Sequence, residues 1–204
     1  VYFGVVDPGR GTSLLIFAFI VVVIGGFGSI GGSAVASVAV GLIQQYARRM
    51  RFSAFGYLNE DGNGRDGGVM RARQKFVGPM QPVPGLPDTA NANKEWNETT
   101  GVFIRNPDAT DTSATSANGV TIADSGVINY LNKFGQIIPG TYKSNDPMSE
   151  LYYAALRYYR NLGNVPEWSN LNTTDTNTTA KRLDGFPVIT NWDDPIQYSC
   201  QRNF

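Results

Sequence analysis

Phe52-Ser53-Ala54-Phe55-Gly56-Tyr57-Leu58 and Val69-Met70-Arg71-Ala72-Arg73-Gln74-Lys75-Phe76-Val77 decide the fold of the larger part of this 204-residue chain. Both runs alternate with the period of two that a half-buried strand imposes, the first placing Phe55 and Tyr57 on one face. Between them lies Asn59-Glu60-Asp61-Gly62-Asn63-Gly64-Arg65-Asp66-Gly67-Gly68. Glycine and Asx residues reverse a chain at low steric cost, so the two runs predict a β-hairpin with a long tip.

Downstream, Gly78 to Ser116 is punctuated by Pro79, Pro82, Pro84, Pro87 and Pro107 and reads as an irregular surface segment. With its neighbours it gives irregular loops over 78–120, and a polar Asn/Thr-rich stretch gives another over 164–184. Thr121 to Phe134 reads as a helix with Ile122, Val127, Ile128 and Leu131 clustered and Gly135 as its stop. The clearest helix runs from Asp146 to Leu162. Asp146 is a good N-cap, Pro147 fits the first turn, and Gly163 can close the end. Met148, Leu151, Tyr152, Ala155, Tyr159 and Leu162 fall on one face, which predicts the best-buried helix, packed near Phe52 and Val188.

Upstream the texture changes. No residue from Leu14 to Ile43 is charged, and 32 of the 34 charged side chains lie from Arg48 onward. A bilayer span needs about 20 mostly apolar residues, so residues 14–46 read as a membrane segment behind a short lead at 1–13. No basic region precedes the apolar run, which is longer than a usual signal-peptide core. Gly25-Gly26-Phe27-Gly28-Ser29-Ile30-Gly31-Gly32 holds five glycines in eight positions, which favours a break, a helical hairpin or close packing. Arg48, Arg49 and Arg51 follow at the boundary with the polar domain, 47–204, and such residues usually stay cytoplasmic.

Composition excludes much chemistry. The chain has no histidine and one cysteine, Cys200, so it holds no Ser-His-Asp or Cys-His machine, no His-bearing zinc site and no internal disulfide. With 17 basic and 17 acidic residues the net charge is zero, which argues against a nucleic-acid partner. No catalytic site and no certain cofactor emerge. Asp61, Asn63 and Asp66 place oxygen donors on the hairpin tip as a calcium loop does, though Arg65 stands among them and no closing Glu follows. Asp146 is a fourth candidate ligand for Ca2+ or Mg2+, with Ser149 and Glu150 beside it. Helix capping also explains Asp146 and Glu150. Asp184, Asp193 and Asp194 flank the apolar Phe186-Pro187-Val188-Ile189 and read as solvated loop carboxylates.

Two resemblances divide the chain. Tyr2 to Ser13 followed by Phe19-Ile20-Val21-Val22-Val23-Ile24-Gly25-Gly26-Phe27-Gly28-Ser29 resembles permease subunits of branched-chain amino acid ABC transporters, over residues 1–47. Arg65-Asp66-Gly67-Gly68-Val69-Met70-Arg71-Ala72, Ser125 to Gly135, Asn145 to Tyr158 and Asp184-Gly185-Phe186-Pro187-Val188-Ile189-Thr190 resemble the N-terminal region of type IV pilus tip adhesins, the PilC/PilY family, over residues 48–204. The second resemblance implies a partial von Willebrand factor A-like domain, of α/β or α+β class. In that family a divalent cation is often held by an Asp-x-Ser-x-Ser loop, which this chain lacks. It implies a cell-envelope protein of pilus assembly and adhesion. Such a protein would act by binding pilin subunits or surface ligands, with membrane lipid around the apolar segment, and not by catalysis. The alternative implied by the first resemblance is a permease fragment joined to an unrelated tail.

Overall fold

The computed structural model describes Val38 and residues 49–60, 67–138, 148–198 and 201. The chain divides into two compact units, Val1–Met50 and Arg51–Phe204. The expected membrane segment at 14–46 lies outside the described residues apart from Val38. Among the described residues no helix is long and apolar enough to cross a membrane.

Within Arg51–Phe204 the predicted hairpin forms. Strand β1 (Phe52–Gly56) pairs antiparallel with β2 (Val69–Lys75), and the register slips between Phe52 and Ala54 and again between Ala54 and Phe55. Ile189 bridges Met70 on the sheet, its amide donating to the Met70 carbonyl at 3.0 Å. A second small sheet pairs β3 (Met80–Gln81) with β4 (Thr89–Ala90). Among the described residues five helices follow: α1 (Ala109–Thr115), α2 (Val127–Lys133), α3 (Met148–Tyr159), α4 (Pro166–Ser169) and α5 (Thr176–Leu183). Helices α2 and α3 both pack on β1. The class is therefore mixed helix and strand. Among the described residues both sheets are two-stranded and antiparallel, so they do not contain the larger sheet that a von Willebrand factor A-like domain implies.

Among the described residues three apolar clusters hold the unit. Ala54, Ala72, Val127, Tyr130 and Phe186 form one, with Tyr130 meeting Phe186 edge-on at 5.2 Å. Leu58, Val69, Ile122, Leu183 and Val188 form the second. Met70, Tyr158 and Ile189 form the third, flanked by Phe55 and Trp192. In it Phe55, Tyr158 and Trp192 contact one another with ring centroids 5.7–5.8 Å apart.

Several expectations change. The helix expected from Thr121 begins at Val127, because Gly126 takes φ +91° and the Ser125 amide leaves to the Arg105 carbonyl. Ile122 reaches the core in an extended segment before the helix. Residues 78–120 contain α1, and 164–184 contains α4 and α5, where loops were expected. Helix α5 forms because Asp175 caps it, accepting from the Thr178 amide at 2.7 Å, while Lys181 and Arg182 suit its C-terminal end. Its chain-reversing C-cap is Asp184, at φ +48°.

Helix α3 forms within the expected range, ending at Tyr159 short of Leu162, and buries another face. Ala154 and Tyr158 are fully buried, whereas Tyr152 and Leu162 are 67% and 47% exposed. The 3.6-residue period fits both faces, and the aromatic cluster around Phe55 and Trp192 selects the one carrying Tyr158. Its partners are Met70 and Ile189, while Val188 belongs to a different cluster.

Candidate functional site

Strand β2 places Arg71, Arg73 and Lys75 at alternate positions, and each ties a distant part of the chain to the sheet. Arg71 is 2% exposed. Its Nη1 donates to the carbonyls of Leu183, Phe186 and Pro187 at 3.1–3.4 Å, and its Nη2 to those of Tyr57 and Arg182. One guanidinium thus satisfies carbonyls from the end of α5, the loop after it and the hairpin. Burial lowers the Arg71 pKa from its ordinary value, while Tyr130 and Asp184 act in the opposite direction. The deep position raises the Tyr130 pKa as well.

Arg73 grips α1 and the C-terminal segment. Its Nε donates to both Asp111 oxygens at 3.0 Å, its Nη1 to the Asn191 carbonyl at 2.8 Å and to Asp193 Oδ1 at 3.1 Å. Partial burial works against the charge, but Asp111 and Asp193 outweigh it and raise the Arg73 pKa. Lys75 Nζ donates to both Asp108 oxygens at 2.6 Å and lies 3.5 Å from Glu95.

Glu95 is fully buried, and its two oxygens accept from the Val127 and Ile128 amides at 2.8 and 2.7 Å. It caps α2 from 32 residues upstream, which local sequence does not announce. The approach requires Gly126: a Cβ there would stand 2.8 Å from Pro107 Cγ and 2.9 Å from Glu95 Cδ.

Arg73 and Lys75 border an open cleft of about 720 Å3, with Arg51, Asp108, Asp111 and Asp193 also in its wall. Arg51 donates to the Gln74 and Pro195 carbonyls and to Gln201 Oε1. Three cations and three carboxylates balance. Asp108, Asp111 and Asp193 each accept from Lys75 or Arg73, so the cleft offers polar surface and no excess charge.

The sequence-predicted ligands Asp61, Asn63, Asp66 and Asp146 lie outside the described residues. Among the described residues no group of three or more Cys, Asp or Glu could hold a metal ion. Ser149 donates to Glu150 at 3.0 Å. Asp184 and Asp193 are not merely solvated loop carboxylates. Asp184 accepts from the Gly135 and Ile138 amides and is 6% exposed, and Asp193 pairs with Arg73. Asp194 accepts from the Ile196 amide at 2.8 Å, an exposed turn contact. The missed residues were Arg71, Arg73, Lys75 and Glu95. The alternating Arg-x-Arg-x-Lys pattern of β2 was a usable signal that one strand face carries cations. Glu95 had none.

A protein of Xylella fastidiosa (strain Temecula1 / ATCC 700964) named "Type IV pilus biogenesis factor PilY1 homolog" is 53% identical to this chain over 165 residues, 80% of the chain. The chain spans only 14% of that relative's length. No known family profile and no solved structure matches the chain. The likeness agrees with the PilC/PilY resemblance, and the permease resemblance of residues 1–47 gains no support.

Proposed function

We propose that the chain is a binding module of the bacterial cell envelope that serves type IV pilus assembly and adhesion. The observation that carries this reading is the 53% identity, over 80% of the chain, to a protein named as a pilus biogenesis factor. The charge-balanced cleft supports binding over catalysis. Its carboxylates are engaged by Lys75 and Arg73, and the chain has no histidine to move a proton near neutral pH. Pilin subunits or a surface ligand are the partners this reading calls for. A neutral, polar and open surface suits a protein partner whose own charges are paired at the rim.

Deleting the gene in its own bacterium, then complementing it with the wild-type chain or with Arg73→Ala, tests this. Surface pili counted by electron microscopy, and attachment to a solid surface, should fall on deletion and return with the wild type. They should return only in part with Arg73→Ala. Unchanged piliation and attachment after deletion would overturn the reading.

A further inference from the structure

Beside the buried face of Arg71 lies a second cavity, of about 500 Å3, which has no part in the charged cleft. Its apolar wall includes Phe55, Leu58, Leu131, Phe134 and Leu151, with Tyr130 deeper in. The mouth is accessible: Leu131 is 65% and Phe134 55% exposed. The polar lining includes Asn59, Arg71 and Asp184, with Tyr57 beside them.

Among the described residues two N–H groups of that lining are buried without an acceptor, Asn59 Nδ2 and Arg71 Nε. Asn59 is 9% exposed and Arg71 2%. The Tyr130 hydroxyl stands beside the guanidinium but does not accept from Nε. A buried donor left unpaired costs about 1–3 kcal/mol, so such groups mark a place where an acceptor belongs. The Asp184 carboxylate is already engaged by the Gly135 and Ile138 amides, so it does not fill that role. The two charges in the lining are opposite, which leaves the cavity no preference for a charged guest.

An apolar cavity of this size with a few convergent donors has the composition of a ligand site. We propose that it receives a leucine- or phenylalanine-sized side chain of an uncharged peptide segment, whose backbone carbonyl accepts from Asn59 Nδ2. A carboxylate guest would gain Arg71 but face Asp184. A pure hydrocarbon would leave both donors unpaired. A peptide carbonyl beside an apolar side chain fills the apolar wall and gives Asn59 Nδ2 its acceptor without bringing a charge. The inference does not depend on the pilus reading.

Photo-crosslinking of the full chain with N-acetyl-photoleucine methylamide, mapped by mass spectrometry, tests it. Label should concentrate on Phe55–Asn59 and Leu131–Gly135. Excess N-acetyl-leucine methylamide should suppress it. Leu131→Asp, at an exposed position that folding tolerates, should lower labelling at least about tenfold, because it sets a carboxylate at the apolar mouth that the guest must cross. Asn59→Leu should keep the cavity apolar yet lower labelling about fivefold through loss of one hydrogen bond. Label spread evenly over the surface, or unchanged in Leu131→Asp, would overturn the proposal. Suppression by decanoate but not by the neutral amide would assign the cavity to an acyl carboxylate and equally overturn it. None of these outcomes bears on piliation.

Discussion

Strand β2 carries three cations and helix α3 is rich in tyrosine and leucine, yet the strand is the better buried. Arg71 is 2% exposed in β2, while Met148, Tyr152 and Tyr153 of α3 are 75%, 67% and 47% exposed. The strand lies between α5, the 186–189 segment and β1, where carbonyl groups need donors, and a guanidinium supplies several at once. Among the described residues the helix packs on β1 and into the Tyr158 cluster, with Tyr153 edge-on to Trp168, and the rest of its surface stays open. Side-chain class sets what burial would be worth, and available partners set whether it occurs.

The largest expected effect breaks this contrast at the strand. Arg71→Leu should lower stability by about 3–5 kcal/mol, because several buried carbonyls lose their donor and each unsatisfied group costs about 1–3. Urea unfolding of the wild type and variant measures it. A loss below about 1 kcal/mol would mean that the carbonyls find other donors.

At the helix, Tyr158→Ala should cost about 3–5 kcal/mol, because a fully buried ring leaves a cavity among Met70, Ile189 and Phe55. Tyr152→Ala, earlier on the same helix and exposed, should stay within about 0.5 kcal/mol. Thermal melts of the pair would sharpen the contrast, and equal losses would mean that the outer face of α3 is covered in the intact protein.

Gly126→Ala should cost about 1–3 kcal/mol, through the positive φ and the clash with Pro107 and Glu95. The smallest effect is in acid. Burial works against the charge of Asp124, but Arg105 and Lys133, at 3.0 and 2.7 Å, hold its pKa below the ordinary carboxylate value. A depressed folded pKa gives stability that is complete above the unfolded value of about 3.9 and lost as pH falls through the folded value. Both cations are substantially exposed, so the contribution is small. Melting temperature followed below about pH 5 should fall less steeply in Asp124→Asn than in the wild type.

The hairpin was legible because alternation and a glycine-rich tip are local signals that no tertiary partner contradicts. Helix α3 was legible in existence but not in facing, since its apolar residues surround most of the cylinder and several stripes fit equally. Helix α5 was missed because Thr176, Asn177, Thr178 and Thr179 are weak helix formers, and the capping by Asp175 decides the matter. Of the candidate site, the β2 cations were visible as a pattern without partners.

The sequence by itself determined the charge partition between the two parts of the chain, the hairpin, the absence of histidine chemistry and the likeness to a type IV pilus biogenesis factor. Each follows from composition or from neighbours a few residues apart. Tertiary structure alone decided that Arg71 is buried, that Glu95 caps a helix 32 residues on, and which face of α3 meets the core. Those outcomes depend on donors and acceptors brought together across 30 to 120 positions, and a buried polar group is stabilised only by the partner that folding delivers to it.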